Sequence, residues 1–387
     1  MNFIPLSVPN LKGNEKKYVL DAIEKEWVST GGDYINKFED NIAKYVNVPL
    51  AVSCQSGTSG IHLSLIEAGV KSGCEVIVPT LTFIAAVNPV KYLNAEPIFM
   101  DCDDSLTLDP IKLKEFLENE CIFDGKILIN KHSKKEIKAI VVVHIFGNLA
   151  NMEKIMELSK KYNLKVIEDA TEALGSKFTF GKYKGKHAGT IGDFGIYSFN
   201  GNKIITTGGG GMIVSNDLEK LNHIKYLSTQ AKDDTLHYVH NEIGYNYRMT
   251  NIQAAIGLAQ LEELDSLIKT KKENYLRYKK EIEKIDKLSL IDFSKEIEPN
   301  YWFYGLNVEK SKYDVDMWIK LLQENNIQTR PIWGLIHEQL PYKDNYSYKI
   351  EKAKYYVKNI INIPCSSNLK SEEVDFVLEK LNQIEEN

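Results

Sequence analysis

Between Leu50 and Val214 the chain repeatedly sets a short apolar run against a helical stretch, and this alternation restricts its fold more than any other feature. The runs are Leu50–Cys54, Glu75–Pro79, Pro97–Asp101, Ala139–Val143, Lys165–Ile167, Phe194–Phe199 and Met212–Val214. Helical patterning follows from Thr58 to Gly69 and over Phe83–Leu93 and Met152–Lys161. Continuous apolar strands separated by helices argue an α/β fold with a mainly parallel sheet covered on both faces. Residues 15 to 50 read as helices broken at Ser29-Thr30-Gly31-Gly32. Asn251–Ile285 is a long, charge-laced helical stretch with few breakers, suited to connecting two domains. Beyond it, Trp302–Val308, a helix near Val315–Asn325, Thr329–Ile332 and a terminal helix predict a small α+β domain. The expected division is a large domain with the N-terminal segment over residues 1–255, and a connector helix with a small C-terminal domain over 256–387.

Composition excludes several classes. The chain has 387 residues and a net charge of −5, with no basic block or stripe, so nucleic acid is not an expected partner. Its five cysteines are scattered and none has metal-ligand spacing, so no metal is expected. No stretch is apolar enough to span a bilayer, and the N-terminus lacks a signal-peptide pattern. The expected setting is the cytoplasm, with no membrane partner.

In open parallel sheets, ligands bind beyond the carboxyl ends of the strands. The residues there are mostly polar: Gln55-Ser56-Gly57-Thr58, Thr80-Leu81-Thr82-Phe83, His144, Glu168-Asp169 and Ser198. Ser56-Gly57-Thr58-Ser59 opens a helix, where free N–H groups suit a phosphate, although a simple helix cap reads the same way. Asp169 could keep a ring nitrogen protonated, or could satisfy a loop. Lys203 follows a tight Asn200-Gly201-Asn202 turn and precedes Gly208–Gly211. A lysine withdrawn from water has a lowered pKa and becomes a nucleophilic amine, whereas an ordinary lysine is simply solvated. Phe83 could stack on a flat ring or pack in the core.

Together and in this order, these segments resemble the aspartate-aminotransferase-type fold (fold type I) of pyridoxal 5′-phosphate enzymes. More narrowly, the chain resembles the DegT/StrS family of sugar aminotransferases. The matching segments are Ser56 to Leu63, Pro79-Thr80-Leu81-Thr82-Phe83, His144-Ile145-Phe146-Gly147, Glu168 to Ala173, Ser198 to Gly211, Gly244 to Arg248 with Gln253-Ala254-Ala255, and Thr329-Arg330-Pro331.

The resemblance implies pyridoxal 5′-phosphate as cofactor, with Lys203 as its Schiff-base lysine and the acid/base of the reaction. It implies Asp169 at the ring nitrogen, Phe83 stacked on the ring and Glu172 near the phenolic oxygen. Gly57, Thr58 and Ser198 would hold the phosphate. Asn246 would reach the phosphate in the neighbouring subunit, making the active unit a homodimer. L-Glutamate is the implied amino donor and a nucleotide-linked keto sugar the acceptor. Tyr197-Ser198-Phe199-Asn200-Gly201-Asn202-Lys203 and Ser228-Thr229-Gln230-Ala231, with His237-Tyr238 and His240, resemble a subgroup that aminates C4 of UDP-2-acetamido-2,6-dideoxy-hexos-4-uloses, on routes to bacillosamine or legionaminic acid. A GDP-linked 4-keto-6-deoxymannose, on the perosamine route, ranks second. C3 amination is a further alternative, and the choice of C4 over it rests on the resemblance; a pyridoxamine-phosphate dehydratase and a regulatory protein rank lower, because Lys203 and Asp169 are both present. Arg330, Trp333, His337, Tyr247 and Arg248 are candidate substrate contacts, with packing between domains as the alternative for the first three and a polar cap with packed aromatics for the last two.

Overall fold

The computed structural model describes residues 3–234 and 236–386. A ten-stranded sheet forms the centre. Its main path runs Leu50–Cys54, Gly211–Ser215, Phe194–Ser198, Lys165–Asp169, Glu136–Val143, Glu75–Pro79, Glu96–Met100 and Ser347–Tyr348. Every pairing from Phe194–Ser198 to Ser347–Tyr348 is parallel, while the first two are antiparallel. The mainly parallel α/β sheet read from the alternation is therefore present. Val76, Ile77, Val78, Val141, Val142, Val166 and Ile167 are sealed from solvent on its two faces. Burying each such side chain contributes roughly 1.5–3 kcal/mol.

A second, antiparallel sheet is built from Ser289–Leu290, Tyr304–Asn307, Ile360–Ile363 and Arg330–Pro331. The helices Val315–Glu324 and Ser371–Glu386 bury Trp318, Leu322, Val377 and Leu381 against it.

Some local expectations change. The stretch from Asn251 to Ile285 is two helices, Asn251–Glu262 and Leu264–Ile282, abutting at Glu263. Phe83–Leu93 is a 3-10 turn at Ile84–Ala86 followed by the short helix Asn88–Tyr92. Pro89 in the first turn of that helix has no N–H to extend the preceding one, which accounts for the restart. The helices Pro110–Asn119 and Leu218–Ser228 were not anticipated.

Long-range pairing ties distant segments together. Ile4 bridges Ile327, and the N–H of Val8 donates to Ser366 Oγ. Ser347 and Tyr348 pair with Phe99 and Met100 in the large sheet. The register also lines up strand ends along one edge. Cys54 sits opposite Gly211, Gly211 opposite Ser198, and Val143 opposite Asp169. The polar segments that follow these strands consequently converge.

Candidate active site

The convergence produces a cavity of about 250 Å³ lined by Gly57, Thr58, Phe83, Asp169, Glu172, Ser198 and Lys203. Seven of the residues singled out in the sequence thus share one pocket. Thr82, Thr171, Asn200, Gly209 and Gly210 line it as well.

The helix Gly57–Glu67 begins at Ser56, whose hydroxyl accepts the Ser59 N–H at 3.1 Å. Ser56 is therefore the helix cap that its sequence suggests. The N–H groups of Gly57 and Thr58, in the first turn, have no carbonyl partner within the helix. A Cβ on Gly57 would lie 2.9 Å from Thr171 Cγ2 and 3.2 Å from Ser198 Cβ, so only glycine leaves this cradle open. Gly211 is required for a similar reason, since its Cβ would approach the Ser56 carbonyl to 2.6 Å. An anion-binding helix start with Ser198 beside it fits a phosphate.

Asp169 ends its strand 3% exposed, with Oδ1 accepting the Thr171 N–H at 3.0 Å. Burial pushes its carboxyl up, while Thr171 and the Lys203 charge hold it down. A buried carboxylate facing the cavity calls for a cationic N–H partner, and a protonated pyridine ring supplies one. Glu172 is also 3% exposed, and its Oε2 accepts the Phe146 N–H at 2.8 Å. Burial pushes Glu172 up to about 7, opposed by Lys203 and by the Phe146 N–H. Phe83, by contrast, is 55% exposed and stands in the cavity wall. An apolar ring left uncovered at a pocket mouth offers a face for stacking.

Lys203 rides the anticipated turn, its N–H donating to Asn200 O at 3.0 Å. Burial of its amine lowers the pKa, with Glu172 and Asp169 opposing the shift. The glycines after it serve the backbone: the Phe199 N–H donates to Gly210 O at 3.0 Å. These donors, the stacking face and the buried acid fit pyridoxal phosphate on observations of this chain alone.

Six sequence candidates lie outside this cavity. Asn246 forms a bridge with Thr229. Tyr247 accepts the Gln55 N–H on its carbonyl and meets His62 Nδ1 through its hydroxyl at 3.3 Å. Arg248 Nε is buried without a hydrogen-bond partner among the described residues. Arg330 and Trp333 line a neighbouring cavity that also contains Asn202. His337 Nδ1 lies 2.6 Å from Thr80 Oγ1 at a strand end. Trp302, which packs against the Lys203 turn, carried no signal beyond an aromatic run, and Asn300, which holds the Trp302 N–H and the Glu172 carbonyl, carried none.

This fold and site define a fold type I pyridoxal phosphate enzyme. An aminotransferase, TlmJ from Streptoalloteichus hindustanus, superposes with a TM-score of 0.88 at 24% identity over 99% of this chain and 98% of that one, which shows the fold. The chain belongs to the DegT/DnrJ/EryC1/StrS aminotransferase family, whose model matches residues 9–382. It is a pyridoxal phosphate-dependent nucleotide-sugar aminotransferase. It is 39% identical to a GDP-perosamine synthase of Escherichia coli O157:H7, covering 99% of each chain. It is 30% identical to a UDP-4-amino-4,6-dideoxy-N-acetyl-beta-L-altrosamine transaminase of Campylobacter jejuni, over 94% of this chain and 93% of that one. Among the described residues no helix is long and apolar enough to cross a membrane, and no acidic, cysteine or histidine cluster could hold a metal.

Proposed function

We propose that this enzyme transfers an amino group from L-glutamate to C4 of a nucleotide-linked 4-keto-6-deoxy sugar, in the cytoplasm and as a homodimer. The observation that carries this reading is the single cavity that joins the Lys203 amine, two buried carboxyl groups and a phosphate-binding helix start under an open aromatic face. Bound there, pyridoxal phosphate supplies the electron sink that lets a proton leave the carbon bearing nitrogen. Lys203 carries that proton, because an amine shielded from water is a general base near neutral pH. Asp169 holds a proton on the ring nitrogen, and Glu172 meets the phenolic oxygen. Gly57, Thr58 and Ser198 bind the phosphate, and Phe83 stacks on the ring. Asn246 serves the neighbouring subunit's site, in keeping with its place outside the cavity of its own chain.

The acceptor ranked first is UDP-2-acetamido-2,6-dideoxy-hexos-4-ulose, for surface glycans built on bacillosamine or legionaminic acid. Its support is the segment from Ser228 to His240 and the likeness to the UDP-4-amino-4,6-dideoxy sugar transaminase. A GDP-linked 4-keto-6-deoxymannose is the second reading, favoured by the higher identity to a GDP-perosamine synthase. Both acceptors carry the ketone at C4. Arg330, Trp333 and His337, with Tyr247 and Arg248, remain the proposed substrate contacts.

The test is incubation with L-glutamate and a panel of UDP-, GDP- and dTDP-linked 4-keto-6-deoxy sugars, read by mass spectrometry. Gain of an amine by the UDP sugar alone supports the first ranking, and gain by the GDP sugar alone replaces it with the second. A deoxygenated product without nitrogen would overturn transamination itself. Lys203→Ala is expected to lose both the covalent cofactor link and turnover.

A further inference from the structure

Behind the catalytic turn, one aromatic residue is fixed more firmly than packing alone requires. Trp302 is 3% exposed, and Lys203 Nζ lies 4.2 Å from its ring centroid. Its indole N–H donates to Asn202 O at 2.7 Å, on the residue immediately before Lys203. Its backbone N–H is held by Asn300 Oδ1 at 3.0 Å and Phe146 O at 3.2 Å. Asn300 in turn donates to the carbonyls of Glu172 and Leu174 at 2.8 and 3.0 Å. Between Asn300 and Trp302, Tyr301 adopts φ +55, a left-handed conformation that is costly for a bulky residue. The bonds on either side enforce it. A strained, fully anchored segment thus presents an indole face to the lysine amine.

We propose that Trp302 is a positioning residue for Lys203. Its face seats the amine while it is protonated and free of the cofactor, and its indole N–H fixes the turn that carries the amine. This rests on the reading of Lys203 as the proton-carrying amine. When the amine takes up a proton it gains a positive charge in a site shielded from water. Three groups face that charge: Glu172, Asp169 and the Trp302 ring. The carboxylates stabilise the cation but can also accept its proton. The ring attracts the cation through its quadrupole and has no site for a proton. Trp302 therefore favours the ammonium without competing for what it carries.

The experiment replaces Trp302 with tryptophans bearing one to four ring fluorines, which weaken the negative face at nearly constant shape. Lys203 in cofactor-free protein is then acylated across a pH series, and the modified peptide is quantified by mass spectrometry. The midpoint, rather than the rate, is read, so changes in access do not enter. We expect the midpoint to fall stepwise with fluorination, by roughly half to one pH unit in total. Trp302→Leu should fall at least as far, and Trp302→Phe should stay nearer the unaltered protein. A midpoint that does not move across the fluorinated series overturns the proposal, whether or not the leucine variant folds. Borohydride reduction of the cofactor-loaded protein separates the two readings. Attachment at another lysine overturns the role of Lys203, whereas attachment at Lys203 with a flat series overturns only that of Trp302.

Discussion

His144 Nε2 and Glu168 Oε2 lie 2.9 Å apart, with both side chains sealed from solvent. His144 Nδ1 accepts the Ala150 N–H, so the ring donates from Nε2. Glu168 also receives the N–H groups of Gly189, Ile191 and Gly192. This carboxylate organises the loop beside Asp169 with donors that only an anion can satisfy together. Glu168→Gln would turn two acceptor oxygens into one and set an NH2 against N–H donors. It should cost about 3 kcal/mol, measurable as a lower midpoint of chemical unfolding.

Glu172 sets a pH dependence of stability. Burial raises its carboxyl to about 7 in the folded chain, so the folded state holds the proton more tightly than the unfolded one. The stabilisation this gives is complete below the unfolded value and is lost as pH rises through about 7. Unfolding free energy should therefore decline between about pH 4.5 and 7 by on the order of 2–3 kcal/mol relative to Glu172→Gln. Parallel unfolding curves for the two proteins across that window would contradict the assignment.

Gly147 adopts φ +91, and a Cβ there would run into Asn300 Oδ1. Asn300 is the residue that ties Trp302 to the loop of Glu172. Gly147→Ala should lose about 2–4 kcal/mol of stability. It should also weaken cofactor uptake, followed by absorbance on titration with pyridoxal phosphate, because the displaced Asn300 disturbs the Lys203 turn.

The proposed dimer is testable by complementation. Lys203→Ala and Asn246→Ala homodimers should each be nearly inactive. If Asn246 serves the partner's site, a mixed dimer contains one intact site. Unfolding and refolding the two variants together should then restore up to about a quarter of the unaltered activity by random pairing. Absence of any recovery, with mixed dimers detected by native mass spectrometry, would place Asn246 outside the partner's site.

The alternation of apolar runs and helices determined the parallel sheet, because burial on both faces is written locally in each strand. The polar residues at strand ends followed from it, and Gly57, Thr58, Phe83, Asp169, Glu172, Ser198 and Lys203 do share one cavity. The sequence could not say that Glu172 is buried enough to titrate near neutrality, or that Phe83 stands uncovered. It also gave no sign that Trp302 faces Lys203. In the run Tyr301-Trp302-Phe303-Tyr304 all four rings are buried, so burial alone does not single out Trp302. Which ring meets the amine was decided by Asn300 and Asn202, through hydrogen bonds between segments far apart in the chain. Periodicity reports which face of an element is buried, whereas only tertiary pairing decides what lies on the other side.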